Sequence, residues 1–240
     1  MAGYRTARRH PPLEPLIRRD FPDANGCALA LADALAHAVS AKLHTKSRAT
    51  LALSGGRSPE AVLPVLAARS LDWARVDVTL VDDRRVPESD PASNAGLVRR
   101  AFLDAGAGAA RFHPLWAEGE DTADILTDTD SRLAPLLPAD VVYLGMGPDG
   151  HVASLFPADN AAAFENGDSG VMYSEAPSAP YGRITLTMKK LIEIESIFLH
   201  VTSAAKMRVL ENAVNSSPTS AVPVSLLLHA RPDVEAFICE

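Results

Sequence analysis

Cysteine is nearly missing from this 240-residue chain, which has only Cys27 and Cys239, at opposite ends and outside any C-x-x-C spacing. A secreted scaffold held by a disulfide framework is therefore excluded, and two free thiols in a reducing compartment is the simpler reading. Basic excess is missing too. The formal charge is −7, whereas a nonspecific nucleic-acid binder needs a basic face to meet phosphates. An anionic small ligand would need a local positive pocket. No segment reads as approaching the roughly 20 apolar residues of a membrane span, and the basic start "MAGYRTARRHPPLEPL" lacks the apolar core of a secretory signal. The expected location is the cytoplasm, with no membrane or nucleic acid as partner and no obligatory protein partner. Among the seven histidines there is no H-E-x-x-H and no carboxylate-histidine cluster, so neither a catalytic metal nor a cofactor is expected. The G-x-S-x-G elbow, the Walker loop and the dinucleotide fingerprint are absent as well, which leaves Ser154 a weak candidate nucleophile.

What the chain does have is 47% hydrophobic and 22% charged residues, enough to bury a substantial core in one large domain or two small ones. Residues 1–20, basic and proline-containing, read as an N-terminal leader, and 21–240 as the domain. "DANGCALALADALAHAVSAKLH" is apolar around much of a helix, with Asp23 or Asn25 as its cap. "ATLALS", "VDVTLV", "DVVYLG", "SIFLHV" and "VEAFIC" read as short buried strands, with helices expected at "AVLPVLAARS", "AGLVRRAFL", "DTADILTDTDSRLAPLL" and "SAAKMRVLENAV". Pro64 argues against a long, regular helix in the first of these. Alternating strands and helices predict an α/β fold, a doubly wound, mostly parallel sheet with helices on both faces in a Rossmann-like single domain, since parallel neighbours need crossover connections. The stretch 157–182, rich in small and polar residues, reads as a long loop or part of a lid.

The residues that carry chemistry share one position. "SGGRS", "DDRR", "GMGPDGH" and "TSAAK" each follow a predicted strand, and ligands of open α/β sheets bind beyond the carboxyl ends of the strands. Gly55 and Gly56 can expose backbone N–H groups at a helix start, a cradle for an anion. A guanidinium at Arg84 or Arg85 suits a phosphate, and Asp82 or Asp83 can orient neighbouring groups. Each segment alone also has a plain reading: a packing turn, a solvated charged loop, a surface lysine at Lys206, an arginine punctuating the strand "RITLTM" at Arg183. Beside the permissive turn Pro148-Asp149-Gly150, His151 suits general-base activation of water.

Taken in order, "SGGRSPE", "VDDRRVPESDPASN", "GMGPDGHVASLFP", "RITLTM" and "TSAAK" resemble the 6-phosphogluconolactonase family of the oxidative pentose-phosphate pathway. The resemblance implies hydrolysis of 6-phosphogluconolactone, a sugar-phosphate lactone, by water that His151 deprotonates, with Asp149 orienting the imidazole or the substrate. It assigns Arg84 and Lys206 to the phosphate and Gly55, Gly56 and Arg57 to its cradle, with Asp82 and Arg183 in the pocket. Two positions depart from the family pattern: Asp83 stands where glutamate is common, and Ser203 where glycine is common. Two rivals remain: a glucosamine-6-phosphate deaminase or related isomerase, whose histidine is typically followed by asparagine-glutamate-proline rather than "VASLFP", and a noncatalytic sugar-phosphate sensor.

Overall fold

The computed structural model describes residues 16–116, 122–177 and 181–239. Seven strands form one parallel sheet: β1 (Ile17–Asp20), β2 (Ala49–Leu53), β3 (Val76–Leu80), β5 (Arg111–His113), β6 (Val141–Gly145), β9 (Ser196–Val201) and β10 (Glu235–Ile238), in the spatial order β1-β10-β9-β6-β2-β3-β5. β2 and β3 are buried at every position, which explains their unbroken apolar runs: a sheet covered on both faces has no polar side to alternate with. The expected doubly wound parallel sheet is therefore the observed one.

Beyond β2 the chain builds outward through β3 to β5, then crosses back to lay β6 on the other side of β2 and builds outward again through β9 and β10. Strand order reverses between β2 and β6. The chain diverges there after Ser54 and Gly145, whose tips remain joined by a bond from Gly145 N–H to Ser54 Oγ at 3.1 Å. A crevice at the carboxyl end of the strands follows from this reversal.

Three features differ from expectation. The leader boundary at residue 20 is too late, because Ile17–Asp20 pairs with β10 as the sheet's edge; residues 1–15 lie outside the described ones. The 157–182 stretch is not wholly loop: β7 (Val171–Glu175) pairs antiparallel with β8 (Gly182–Leu186), and β8 pairs with β4 (Asp82–Arg84), giving a separate three-stranded sheet. The first three residues of "DDRR", read as a loop, thus form a strand that leaves β3 after the single residue Val81. Residues 178–180 of the stretch lie outside the described ones.

Helix α1 (Ala24–Thr45), capped by Asp23 on Gly26 N–H, is long and apolar enough to cross a membrane, against the expectation that no segment is. Here it serves as a core helix: Cys27, Leu31, Leu35 and Val39 are fully buried against the sheet. Helix α2 (Arg57–Ala67) runs through Pro64 without ending. Helix α3 (Asn94–Val98), capped by Ser93, continues as π-helix over Arg99–Ala107. Then come α4 (Thr122–Leu133), α5 (Met188–Glu193), α6 (Ala204–Asn215) and α7 (Pro223–Ala230).

Candidate active site

A cavity of about 760 Å³ opens at the reversal point, and its walls include Gly55, Gly56, Arg57, Asp82, Arg84, His151, Arg183 and Lys206. Of the residues expected in the site, only Asp149 stays out of the wall; its carboxylate lies behind His151. A second cavity of about 750 Å³, between α1 and the β9–β10 side of the sheet, holds none of them.

The loop after β6 explains its own glycines. A Cβ on Gly147 would fall 2.2 Å from the His151 ring and 2.6 Å from Asp149 Oδ1, so the imidazole occupies the space a side chain would take. Gly150 has φ +83°, a conformation costly for other residues. Backbone bonds Gly147 N–H to His151 C=O at 2.9 Å and Gly150 N–H to Gly147 C=O at 3.1 Å close the turn. Inside it Asp149 Oδ1 meets His151 Nδ1 at 2.6 Å, which leaves Nε2 for the cavity. Burial pushes the Asp149 carboxyl up, but its bond and charge interaction with His151 outweigh that and hold it below the usual range. Gly147→Ala is expected to cut turnover by displacing this pair while leaving the thermal midpoint nearly unchanged; steady-state kinetics and a melt on the same preparation check it.

Across the cavity, Arg84 and Arg183 are direct cross-strand partners on β4 and β8. Like charges so placed repel, and burial together with Arg84 lowers the Arg183 pKa. Asp82 compensates in part, at 3.8 Å from Arg183, but its carboxylate is also taken by the Ser154 hydroxyl at 2.5 Å. Ser154 is fully buried, so it packs the wall and is no nucleophile. The Nε atoms of Arg84 and Arg183 are buried without a hydrogen-bond partner among the described residues. Lys206, in the first turn of α6, has its pKa lowered by burial and next by Arg57. Helix α2 follows its N-cap Gly56, φ +96°, and among the described residues no side chain caps its first N–H groups. Four cations and a bare helix N-terminus around one crevice supply the positive pocket that the overall charge of −7 demanded.

Asn94, which the sequence reading passed over, holds this wall together. Its Nδ2 donates to the Asp82 carbonyl at 2.8 Å and its Oδ1 accepts from Arg84 Nη1 at 2.8 Å. A Cβ on Gly55 would fall 1.9 Å from that Oδ1, so Gly55 is required to be glycine by Asn94's approach, besides any ligand's. An asparagine beside a capping serine reads as helix-start chemistry, which hid it. The two departures from the family pattern also find places. Ser203 caps α6, accepting from Lys206 N–H at 3.3 Å. Asp83 is buried and accepts N–H bonds from Arg84 (2.8 Å), Asn94 (2.7 Å) and Ala95 (3.2 Å), tying β4 to α3.

Burial pushes the Asp83 carboxyl up to about 7, with those N–H donors opposing. The folded state therefore keeps a proton that the unfolded chain releases near pH 4. Between about pH 4 and 7 the native state binds more protons, so the Asp83 contribution to stability falls as pH rises. The melting temperature of the wild type relative to Asp83→Asn is expected to decline across that window and level off above it; melts of both proteins at matched pH values measure this.

Comparison with known proteins identifies the family. The family model described as glucosamine-6-phosphate isomerases/6-phosphogluconolactonase matches residues 22–236. A 6-phosphogluconolactonase of Mesorhizobium japonicum is 40% identical over 222 residues, covering 90% of this chain and 92% of that protein. One of Pseudomonas putida is 36% identical, with 90% of each covered. The crystal structure of a 6-phosphogluconolactonase from Shewanella baltica OS155 superposes with a TM-score of 0.88 at 29% identity, over 94% of this chain and 98% of that one. With the match spanning both halves of the crevice, the chain belongs to the glucosamine-6-phosphate isomerase/6-phosphogluconolactonase family.

Proposed function

We propose that this chain hydrolyses 6-phospho-D-glucono-1,5-lactone to 6-phospho-D-gluconate, the lactonase step of the oxidative pentose-phosphate pathway, in the cytoplasm. The observation that carries the reading is the pairing of His151 with Asp149 at 2.6 Å on one side of a crevice whose other side is cationic. Asp149 accepts the Nδ1 proton and fixes the tautomer, so Nε2 takes a proton from water as that water attacks the lactone carbonyl. The C–O bond to the ring oxygen then breaks, and the imidazolium returns its proton to the leaving alkoxide. Arg84 and Lys206 hold the phosphate, with the open N–H groups at the start of α2 and Arg57 at the rim. Arg183 and Asp82 shape the wall between the two ends.

A lactone is an activated ester, so acid-base catalysis of about 10²–10⁴-fold and one oxyanion donor of about 10²–10³-fold make a sufficient mechanism without a metal. The test is acid release from freshly generated 6-phosphogluconolactone above its spontaneous hydrolysis. Catalysed release, with no ammonia from glucosamine-6-phosphate, is expected; the reverse pattern would make the chain a deaminase, and binding without either turnover a sensor.

A further inference from the structure

The two cysteines that stand 212 positions apart in the sequence meet in the fold. Cys27 in the first turn of α1, His200 on β9 and Cys239 just past β10 are all buried, and their ligand atoms Sγ, a ring nitrogen and Sγ lie within 4.8 Å of one another. The expectation that no metal-ligand pattern exists was drawn from local spacing, and it misses a set assembled from three elements.

We propose that Cys27, His200 and Cys239 bind one thiophilic divalent cation, with Zn²⁺ the best fit. Four observations support the site. Cys239 Sγ lies 3.9 Å from His200 Nε2, close to the roughly 3.6 Å edge of a tetrahedron with Zn–S about 2.3 Å and Zn–N about 2.05 Å, and with all three ligand atoms within 4.8 Å of one another the edges to Cys27 have about 1 Å at most to close. The other ring nitrogen, Nδ1, meets the hydroxyl of the fully buried Tyr143 at 2.9 Å. If Nδ1 donates there, the Nε2 lone pair faces the thiols, which is how outer partners orient a ligating histidine. Charge balances as well: each thiol gives up a proton, two thiolates offset the dication, and the neutral complex avoids the cost of a buried net charge. Finally, His200 and Ala24, at the start of α1, line the catalytic cavity, which provides an entry path from solvent.

The site is not part of the hydrolytic machinery, so its test does not rest on turnover. The full chain, stripped with a chelator and kept reduced, is titrated with Co²⁺ as a spectroscopic stand-in. One equivalent is expected to bind, with thiolate-to-cobalt charge-transfer absorption and the intense visible bands of an ion whose fourth ligand, beside the three side chains, is a water admitted from the cavity, and Zn²⁺ should displace it and raise the melting temperature. Because the chain has only two cysteines, a thiolate band in the folded wild type comes from this pair, so the wild-type titration tests the site whether or not an alanine variant folds. Cys27→Ala and Cys239→Ala should each abolish one-equivalent binding, and Tyr143→Phe should weaken it roughly 10–100-fold. No charge-transfer band in the wild type, or a band and affinity unchanged in the alanine variants, overturns the proposal. Lactone turnover by folded alanine variants in metal-free buffer is expected to match the wild type, which separates a failure of this site from a failure of the lactonase reading.

Discussion

His151→Ala should leave a folded protein that still binds 6-phosphogluconate but has lost about 10²–10⁴-fold in kcat, the range that a positioned general base contributes. The substitution removes a side chain that lines the cavity and leaves the turn's backbone bonds in place, which is why folding is expected to survive. Asp149→Asn should fall short of that loss, because Asp149 holds the imidazole from behind and does not line the cavity. Near-wild-type kcat in His151→Ala, after subtraction of spontaneous hydrolysis, would falsify the assignment; unfolding in parallel would mark the residue as structural.

The second large effect is selective for the substrate's phosphate. Arg84→Ala and Lys206→Ala should each cost roughly 10–150-fold in kcat/KM on 6-phosphogluconolactone, the equivalent of a hydrogen bond to a charged group worth about 1.5–3 kcal/mol. On unphosphorylated gluconolactone most of that penalty should vanish, because the interaction has no partner to lose. Arg84→Ala should in addition lower the melting temperature less than a loss of core packing would. Removing one of two cross-strand guanidiniums relieves the repulsion felt by Arg183, which offsets part of the lost bonds to Asn94 and the Ala92 carbonyl. Penalties of equal size on both substrates, in folded variants, would move these residues from phosphate binding to general catalysis or structure.

Strands with long apolar runs were legible because burial on both faces writes itself directly into composition, as in "ATLAL" and "VDVTL". Edge elements were not. β1 reads "IRRD", exposed at every position, and β5 has three residues; neither offers a periodicity to detect. "DDRR" misled for another reason: its charges suggested solvent, yet Asp82 and Asp83 are buried because Ser154, Arg183 and backbone N–H groups satisfy them. Tertiary partners decide such cases, and local sequence does not contain them. The same holds for Asn94, whose role exists only where α3 meets Gly55, and for Cys27 and Cys239, whose separation along the chain conceals their meeting. The histidine loop stood out because its requirements are local: one missing Cβ and one positive φ within seven residues.

The reversal of strand order between β2 and β6 also divides the catalytic apparatus along the chain. In the proposed assignment, the chain before residue 117 supplies anion-binding groups, Gly55, Gly56, Arg57 and Arg84 with its tether Asn94, and the chain after residue 121 supplies the base, its aspartate, Arg183 and Lys206. A growing polypeptide, or a fragment ending at β5, therefore carries half of an anion site and no base. Turnover can arise only once β6 has docked beside β2, a pairing that joins residues about ninety positions apart. Activity in this fold is thus a reporter of long-range sheet assembly, and two separately made halves of the chain would announce their reunion by hydrolysing the lactone.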